Sequence, residues 1–207
     1  MRNVPNILSL GRLALTIPLI VLILIGTPVA YLIATALFFV GSVTDTIDGQ
    51  LARKYHLVSN LGIFLDLTAD KIFVAAGLIA LVQTGAVPSW IAIVIVAREF
   101  LVSGLRSLAA AQGVVIPAGR WGKQKTFLTL VGEGGILLSL GLGGHTAFPL
   151  GLSTASHGPA AFADYLLALA DGILLLAVVW TIISAYEYMR GAWGLLVSPG
   201  RDASRNL

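Results

Sequence analysis

Six long apolar segments fill most of this chain of 207 residues, and they limit its possible folds more than any other feature. They lie at about 8–26, 29–54, 61–84, 88–111, 122–143 and 162–191. Each is close to the roughly 20 mostly apolar residues that a helix needs to cross a bilayer. Only 11% of the residues are charged, whereas soluble domains are roughly a quarter charged. The sequence therefore predicts an integral membrane protein.

The length of these segments also distinguishes between the two structures that can span a bilayer. Lipid offers the backbone no hydrogen bonds, so only helices and closed barrels cross it. The apolar segments are much longer than barrel strands, which need about 9–11 residues. We predict an all-α integral membrane protein, a six-transmembrane-helix bundle over residues 1–197, followed by a polar C-terminal tail at 198–207.

The placement of the basic residues predicts the orientation of the bundle. With six spans, all thirteen Lys and Arg residues lie at or toward one side. The three loops on the other side, near 26–28, 83–89 and 142–161, contain none. Because cytoplasmic loops carry an excess of Lys and Arg, both termini are predicted to be cytoplasmic. Alternatively, the first segment is a cleaved signal peptide, but its removal would place the later loops on inconsistent sides.

Four aspartates interrupt the second and third apolar segments. Asp45 and Asp48 are three residues apart and Asp66 and Asp70 are four apart, so each pair lies on one helix face. In an antiparallel hairpin that turns near Leu57, the two pairs would lie at matching depths and face one point. Ionisable residues in a membrane segment are unfavourable by roughly 2.5 kcal/mol or more, which favours a functional role.

Four convergent carboxylates predict bound cations. Like charges at close range cannot all stay ionised near hydrocarbon unless positive charge lies between them. Oxygen ligands suit Mg²⁺, Mn²⁺ or Ca²⁺, and the chain has no cysteine to offer thiolate ligands. Two carboxylate pairs could hold two ions, an arrangement that clamps both oxygens of a phosphoryl displacement.

Small residues accompany the aspartates. Gly49, Ala52 and Gly62 would let a flat ligand approach the backbone between the helices. Close packing of the helices is the alternative explanation for these three residues. Arg53 could contact a phosphate group, or it could extend to the membrane interface.

The segment from Asp45 to Asp70 reads D-x₂-D-G-x₂-A-R-x₈-G-x₃-D-x₃-D. This pattern resembles the signature of the CDP-alcohol phosphatidyltransferase family. The resemblance implies six transmembrane helices, a homodimer and a polar cavity that opens to the cytoplasm. It also implies two divalent ions, normally Mg²⁺, bound by the four aspartates, with Asp70 acting in addition as the catalytic general base.

The resemblance implies a binding site for the CDP-linked lipid as well. The cytidine would lie against the three small residues of the signature. The residues assigned to this site are Asn6, Asp48, Gly49, Ala52, Arg53 and Gly62.

Weaker motifs resemble the branch of the family whose acceptor is sn-glycerol 3-phosphate. The similarity spans roughly residues 4 to 130, and the last third of the chain matches only in hydropathy. The motifs are Pro5-Asn6-Ile7-Leu8-Ser9 with Arg12, Ser59-Asn60, Ala69-Asp70-Lys71, Arg98-Glu99-Phe100, Ser103, Arg106 and Gly122-Lys123-x-Lys125-Thr126.

Four basic residues are predicted to bind the phosphate of the acceptor. Arg98 and Arg106 lie two turns apart, close to one face of the fourth segment. Lys123 and Lys125 begin the fifth segment, and such a cluster suits a dianionic phosphate. A role in topology and in attracting anionic lipid is the alternative.

Three further acidic residues lie within the apolar segments, and two of them, Glu133 and Asp171, are assigned no role in catalysis. Glu99 follows Arg98 directly and points about 100° away on a helix, so it is not predicted to pair with Arg98. Glu133 and Asp171 lie deeper in the fifth and sixth segments, and they are predicted to make polar contacts between helices.

The expected reaction transfers the phosphatidyl group of CDP-diacylglycerol to sn-glycerol 3-phosphate and releases CMP. The expected location is the cytoplasmic membrane of a bacterium, with membrane lipids as further partners and no nucleic acid. Inositol phosphate, serine or phosphatidylglycerol are alternative acceptors. A cation transporter is a more distant alternative, and the sequence shows neither the internal repeats nor the broken helices that are typical of transporters.

Overall fold

Six α-helices form the part of the protein that the structure describes. The computed structural model describes residues 4–54, 60–114, 120–144 and 159–197, and no strand occurs within those ranges. The prediction of an all-α fold with six helices is confirmed. The ends lie within a few residues of the predicted ones, although the last helix extends beyond both of its predicted ends. The helices are α1 (Val4–Ile25), α2 (Pro28–Lys54), α3 (Asn60–Gln83), α4 (Ser89–Ala111), α5 (Arg120–Gly141) and α6 (Pro159–Val197).

The turn between α1 and α2 follows from its sequence, Gly26-Thr27-Pro28. Gly26 has a φ of 71°, a left-handed conformation that strains residues with a Cβ atom. The Thr27 hydroxyl accepts a hydrogen bond from the backbone N–H of Ala30 at 3.3 Å, which caps the first turn of α2. Pro28 then begins α2, where its missing N–H has no effect on the helix.

The helices pack as a bundle in which α3 and α5 contact the most neighbours. Helix α1 packs against α2 and α3, α5 packs against α2 and α6, and α4 packs against α6 and less extensively against α3. Glycines allow α5 and α6 to approach closely, because a Cβ at Gly132 or Gly135 would press on Leu174 or Ala170. Large residues of the core include Leu19, Phe38, Phe73, Ile91, Leu137 and Leu174.

The outer surface of the bundle is apolar. Each helix exposes more than half of at least one large apolar side chain, as at Ile17, Val29, Phe64, Ile93, Phe127 and Phe162. Soluble monomers rarely expose large contiguous apolar patches. Within the described residues, one helical segment, Phe162–Ala192, is long and apolar enough to cross a membrane, and two shorter apolar stretches occur at Ser9–Ile25 and Pro28–Thr44. Six membrane spans with cytoplasmic termini stay a prediction, and the tail at 198–207 lies outside the described residues.

Candidate active site

The four aspartates of the sequence motif lie on two successive helices. Asp45 and Asp48 are on α2, and Asp66 and Asp70 are on α3. Among them the structure describes the side chain of Asp70, which is half-buried. No group of three or more His, Asp or Glu side chains that could hold a metal occurs within the described part of the chain. The convergence of the four carboxylates therefore stays a prediction.

A contact between α2 and α3 has the register that the predicted hairpin requires. The Phe73 ring stacks on the Phe38 ring, with centroids 5.6 Å apart and planes 12° apart. A Cβ on Gly41 would collide with the same ring. Positions 41 and 73 are equally far from residue 57, the predicted turn. Gly41 precedes Asp45 by about one helical turn, and Phe73 follows Asp70 by about one turn.

The two helices of this hairpin are not tightly packed along the length that the structure describes. Each of them contacts α1 more extensively than it contacts the other. The prediction that α2 and α3 bring their acidic faces together stays a prediction, since the side chains of Asp45, Asp48 and Asp66 lie outside the described part of the structure.

A pocket of about 100 Å³ lies between α3, α4 and α5. Its polar lining includes Asp70 from α3, Glu99 from α4, and Lys125 with Thr126 from α5. Apolar side chains such as Leu78 form much of the rest of the wall. The pocket thus brings the predicted general base next to one of the cations predicted to bind phosphate.

A shared carboxylate joins two cations at this pocket. Glu99 Oε1 accepts a hydrogen bond from Arg98 Nη1 at 2.8 Å and another from Lys125 Nζ. The side chains of Arg98 and Lys125 are only 9% and 4% exposed, whereas that of Glu99 is 27% exposed. Glu99 thus pairs with Arg98, although helix geometry does not make it an obvious partner. Neighbouring Cβ atoms diverge by about 100° on a helix, but these two side chains are long enough to meet, and Lys125 attracts the carboxylate inward.

Two residues of α6 hold the other side of Arg98. Its Nη2 donates a hydrogen bond to the buried hydroxyl of Ser184 at 2.9 Å. The guanidinium carbons of Arg98 and Arg106 lie 5.6 and 5.5 Å from the centroid of the Tyr188 ring, within the range of cation–π attraction. The sequence did not predict roles for Ser184 and Tyr188. Their spacing of four residues on one face of α6 is the only signal that could have indicated them.

The chain is similar to known proteins. The sequence profile of the CDP-alcohol phosphatidyltransferase family matches residues 2–183.

The chain belongs to the CDP-alcohol phosphatidyltransferase family.

Three relatives that match nearly the full chain carry one name, CDP-diacylglycerol–glycerol-3-phosphate 3-phosphatidyltransferase. The protein from Bacillus subtilis is 37% identical over 209 residues, which cover 95% of this chain and 98% of the relative. The Rickettsia bellii protein is 36% identical over 189 residues, covering 91% and 94%. The Pseudomonas fluorescens protein is 33% identical over 205 residues, covering 96% and 94%. The predicted family is confirmed.

The remaining residues assigned to the lipid site of this phosphatidyltransferase lie on three helices. Asn6 is on α1, Gly49, Ala52 and Arg53 are on α2, and Gly62 is a buried residue of α3. The side chains of Asn6, Ala52 and Arg53 lie outside the described part of the chain, as does that of Lys123 on α5. Their assignments stay predictions.

Glu133 does not make the polar contact between helices that its sequence position suggested. It is fully buried, and among the described residues neither carboxylate oxygen has a hydrogen-bond partner. Its Oε1 faces Gly77 of α3, where a Cβ would collide with it. The prediction is wrong because the facing residue has no side chain and therefore offers only helical backbone. The Oδ1 atom of Asp171 also lacks a partner within the described structure.

Proposed function

We propose that this chain transfers the phosphatidyl group of CDP-diacylglycerol to sn-glycerol 3-phosphate, forming phosphatidylglycerophosphate and CMP. The observation that carries this assignment is the pocket in which Asp70, the last aspartate of the family motif, lies with the buried Lys125. The shared name of relatives that cover more than nine-tenths of this chain supports the same donor and acceptor.

The four aspartates would hold two divalent ions, with Mg²⁺ or Mn²⁺ as the best fit to ligands that are all carboxylate oxygens. The register of Phe73 against Gly41 supports this proposal, since the same register, continued along both helices, would bring Asp45 close to the depth of Asp70. When bound, such ions would withdraw charge from the donor's pyrophosphate and make CMP a better leaving group.

The donor would bind with its cytidine against Gly49, Ala52 and Gly62, helped by Asn6, Asp48 and Arg53. Gly62 is buried on α3, as expected of a residue that lets a flat ring approach the helix backbone. The acyl chains would stay in the bilayer, against the apolar outer surface of the bundle.

Glycerol 3-phosphate would enter the pocket from water. Arg98, Arg106, Lys123 and Lys125 would hold its phosphate, and charge-assisted hydrogen bonds from Arg98 and Lys125 would orient it. Asp70 would then accept the proton of the 1-hydroxyl. That oxygen forms a bond to the phosphorus next to the diacylglycerol while the bond from this phosphorus to the CMP oxygen breaks.

All six helices would cross the membrane, with both termini and the pocket on the cytoplasmic side of a bacterial cytoplasmic membrane. The shortest helices have 22 residues, which span about 33 Å at 1.5 Å per residue and match the roughly 30 Å of the hydrocarbon core. The exposed apolar side chains on every helix fit lipid contact. Residues 1–197 would form this domain, with 198–207 as a tail, and the protein would act as a homodimer.

Release of CMP by the purified protein tests this function. We expect CMP only when CDP-diacylglycerol, glycerol 3-phosphate and Mg²⁺ are all present, and we expect a chelator to stop the reaction until Mg²⁺ is restored. Ion flux into liposomes without any CMP release would instead support the cation transporter.

A further inference from the structure

Glu99 occupies a position in the pocket that an acceptor phosphate would also need. Its Oε1 takes a hydrogen bond from Arg98 Nη1 and another from Lys125 Nζ. These two cations are among the four proposed to hold the phosphate of glycerol 3-phosphate. The Glu99 carboxylate and the acceptor phosphate would therefore compete for the same two hydrogen-bond donors.

Two nearly buried cations need an anion when no acceptor is bound. Removing one partner of a buried ion pair is strongly destabilising, because the other charge remains without compensation. Lys125 is the more deeply buried of the two, at 4% exposed, and Glu99 is the member of the group with the most contact with solvent. Glu99 therefore offsets one of the two positive charges, and it is the most exposed side chain of the three.

We propose that Glu99 is a built-in counter-anion that competes with the acceptor's dianionic phosphate for Arg98 and Lys125. This role rests on the proposed function, since it requires that the acceptor phosphate binds these two residues. It makes Glu99 a residue that determines specificity. A dianion with several acceptor oxygens can replace one carboxylate, whereas an uncharged polyol cannot.

The contacts of Arg98 with α6 explain how the site keeps its shape during this exchange. The hydrogen bond from Nη2 to Ser184 and the contact with the Tyr188 ring do not involve Glu99. They would hold the guanidinium in place while Nη1 changes its partner from carboxylate to phosphate. Glu99 would act only through the two cations, so it is a positioning residue.

The variant Glu99→Gln tests this role, because the amide keeps the shape and one acceptor oxygen but removes the charge. We expect the KM for glycerol 3-phosphate to fall about tenfold, and we expect the inhibition constant of inorganic phosphate to fall by a similar factor. The kcat should change by less than about threefold, since Glu99 does not touch the reacting atoms. The matched control is Glu187→Gln, which alters an exposed glutamate of α6 next to Tyr188. It should leave the KM for glycerol 3-phosphate and the inhibition constant of phosphate unchanged.

A KM that rises or stays the same in Glu99→Gln overturns the proposal. If the variant is unstable, its melting temperature without ligand should increase more on addition of inorganic phosphate than that of the wild type. An equal or smaller increase also overturns it. Turnover of the wild type with glycerol 3-phosphate tests the proposed function itself. The ratio of the KM of the variant to the KM of the wild type tests the role of Glu99, so the two proposals can fail separately.

Discussion

Phe73 on α3 covers Gly41 on α2 so closely that a Cβ at Gly41 would collide with its ring. The ring also stacks on Phe38 at a centroid distance of 5.6 Å. This contact lies about one turn from Asp45 and Asp70, so it fixes the register of the two helices beside the proposed metal site.

Gly41→Ala should therefore impair the enzyme without altering any residue that binds substrate. The added methyl group forces the Phe73 ring to move, and such overpacking destabilises a protein by about 1–3 kcal/mol. We expect kcat/KM to fall about tenfold, because displacement of α2 against α3 separates the aspartates. Gly172→Ala is the control, since a Cβ there meets open space. Equal activity in the two variants would show that this contact does not set the geometry of the site.

Asp70→Asn should abolish turnover and largely preserve binding of the donor. The amide cannot accept the proton of the acceptor hydroxyl, and loss of a general base lowers the rate at least about 100-fold. Asp164→Asn, near the start of α6, is the control and should retain activity. CMP release and binding of CDP-diacylglycerol are the two measurements. Near-normal turnover in Asp70→Asn would refute the role of Asp70 as base.

Lys125→Met should weaken binding of the acceptor. Methionine approximates the length of the buried stem but lacks the charge, and hydrogen bonds to charged groups contribute about 1.5–3 kcal/mol. We expect the KM for glycerol 3-phosphate to rise at least about tenfold. In the double variant with Glu99→Gln, the two effects should not add, because the residues share one contact. Additive changes in KM would mean that Lys125 and Glu99 act independently.

Gly77→Ala should lower the stability of the bundle. The new Cβ collides with the carboxylate of Glu133, and we expect a loss of about 1–3 kcal/mol. Gly104→Ala on α4 is the control, because it meets nothing and should stabilise its helix by up to about 1 kcal/mol. Combining Gly77→Ala with Glu133→Ala should recover part of the loss. The melting temperatures of the variants in detergent measure this effect. Equal melting temperatures for Gly77→Ala and Gly104→Ala would contradict this explanation.

The number of helices and their limits could be predicted from the sequence because both depend on local composition. The length of each apolar segment indicates a helix, and turn residues such as Gly26 and Pro28 mark the boundaries. The alignment of α2 with α3 could also be predicted, because two helices joined by a short connection run antiparallel and pair positions at equal distances from the turn. Phe73 and Gly41 lie in that register.

Contacts between distant helices could not be predicted in this way. Ser184 lies 86 positions from Arg98, and nothing in the local pattern shows that α6 passes beside α4. Glu99 was assigned no partner because helix geometry alone ignores the reach of long side chains and the attraction of Lys125. Glu133 was expected to find a polar partner, but the facing residue is Gly77, and only the packing of α3 against α5 reveals that.

The most direct test of the central claim is the identity of the lipid that the purified protein makes from CDP-diacylglycerol. Glycerol 3-phosphate, inositol phosphate, serine and phosphatidylglycerol would each be offered with Mg²⁺, and the products identified by mass spectrometry. The proposed function predicts phosphatidylglycerophosphate as the product formed with the highest kcat/KM. A lipid product with another acceptor, and none with glycerol 3-phosphate, would contradict it.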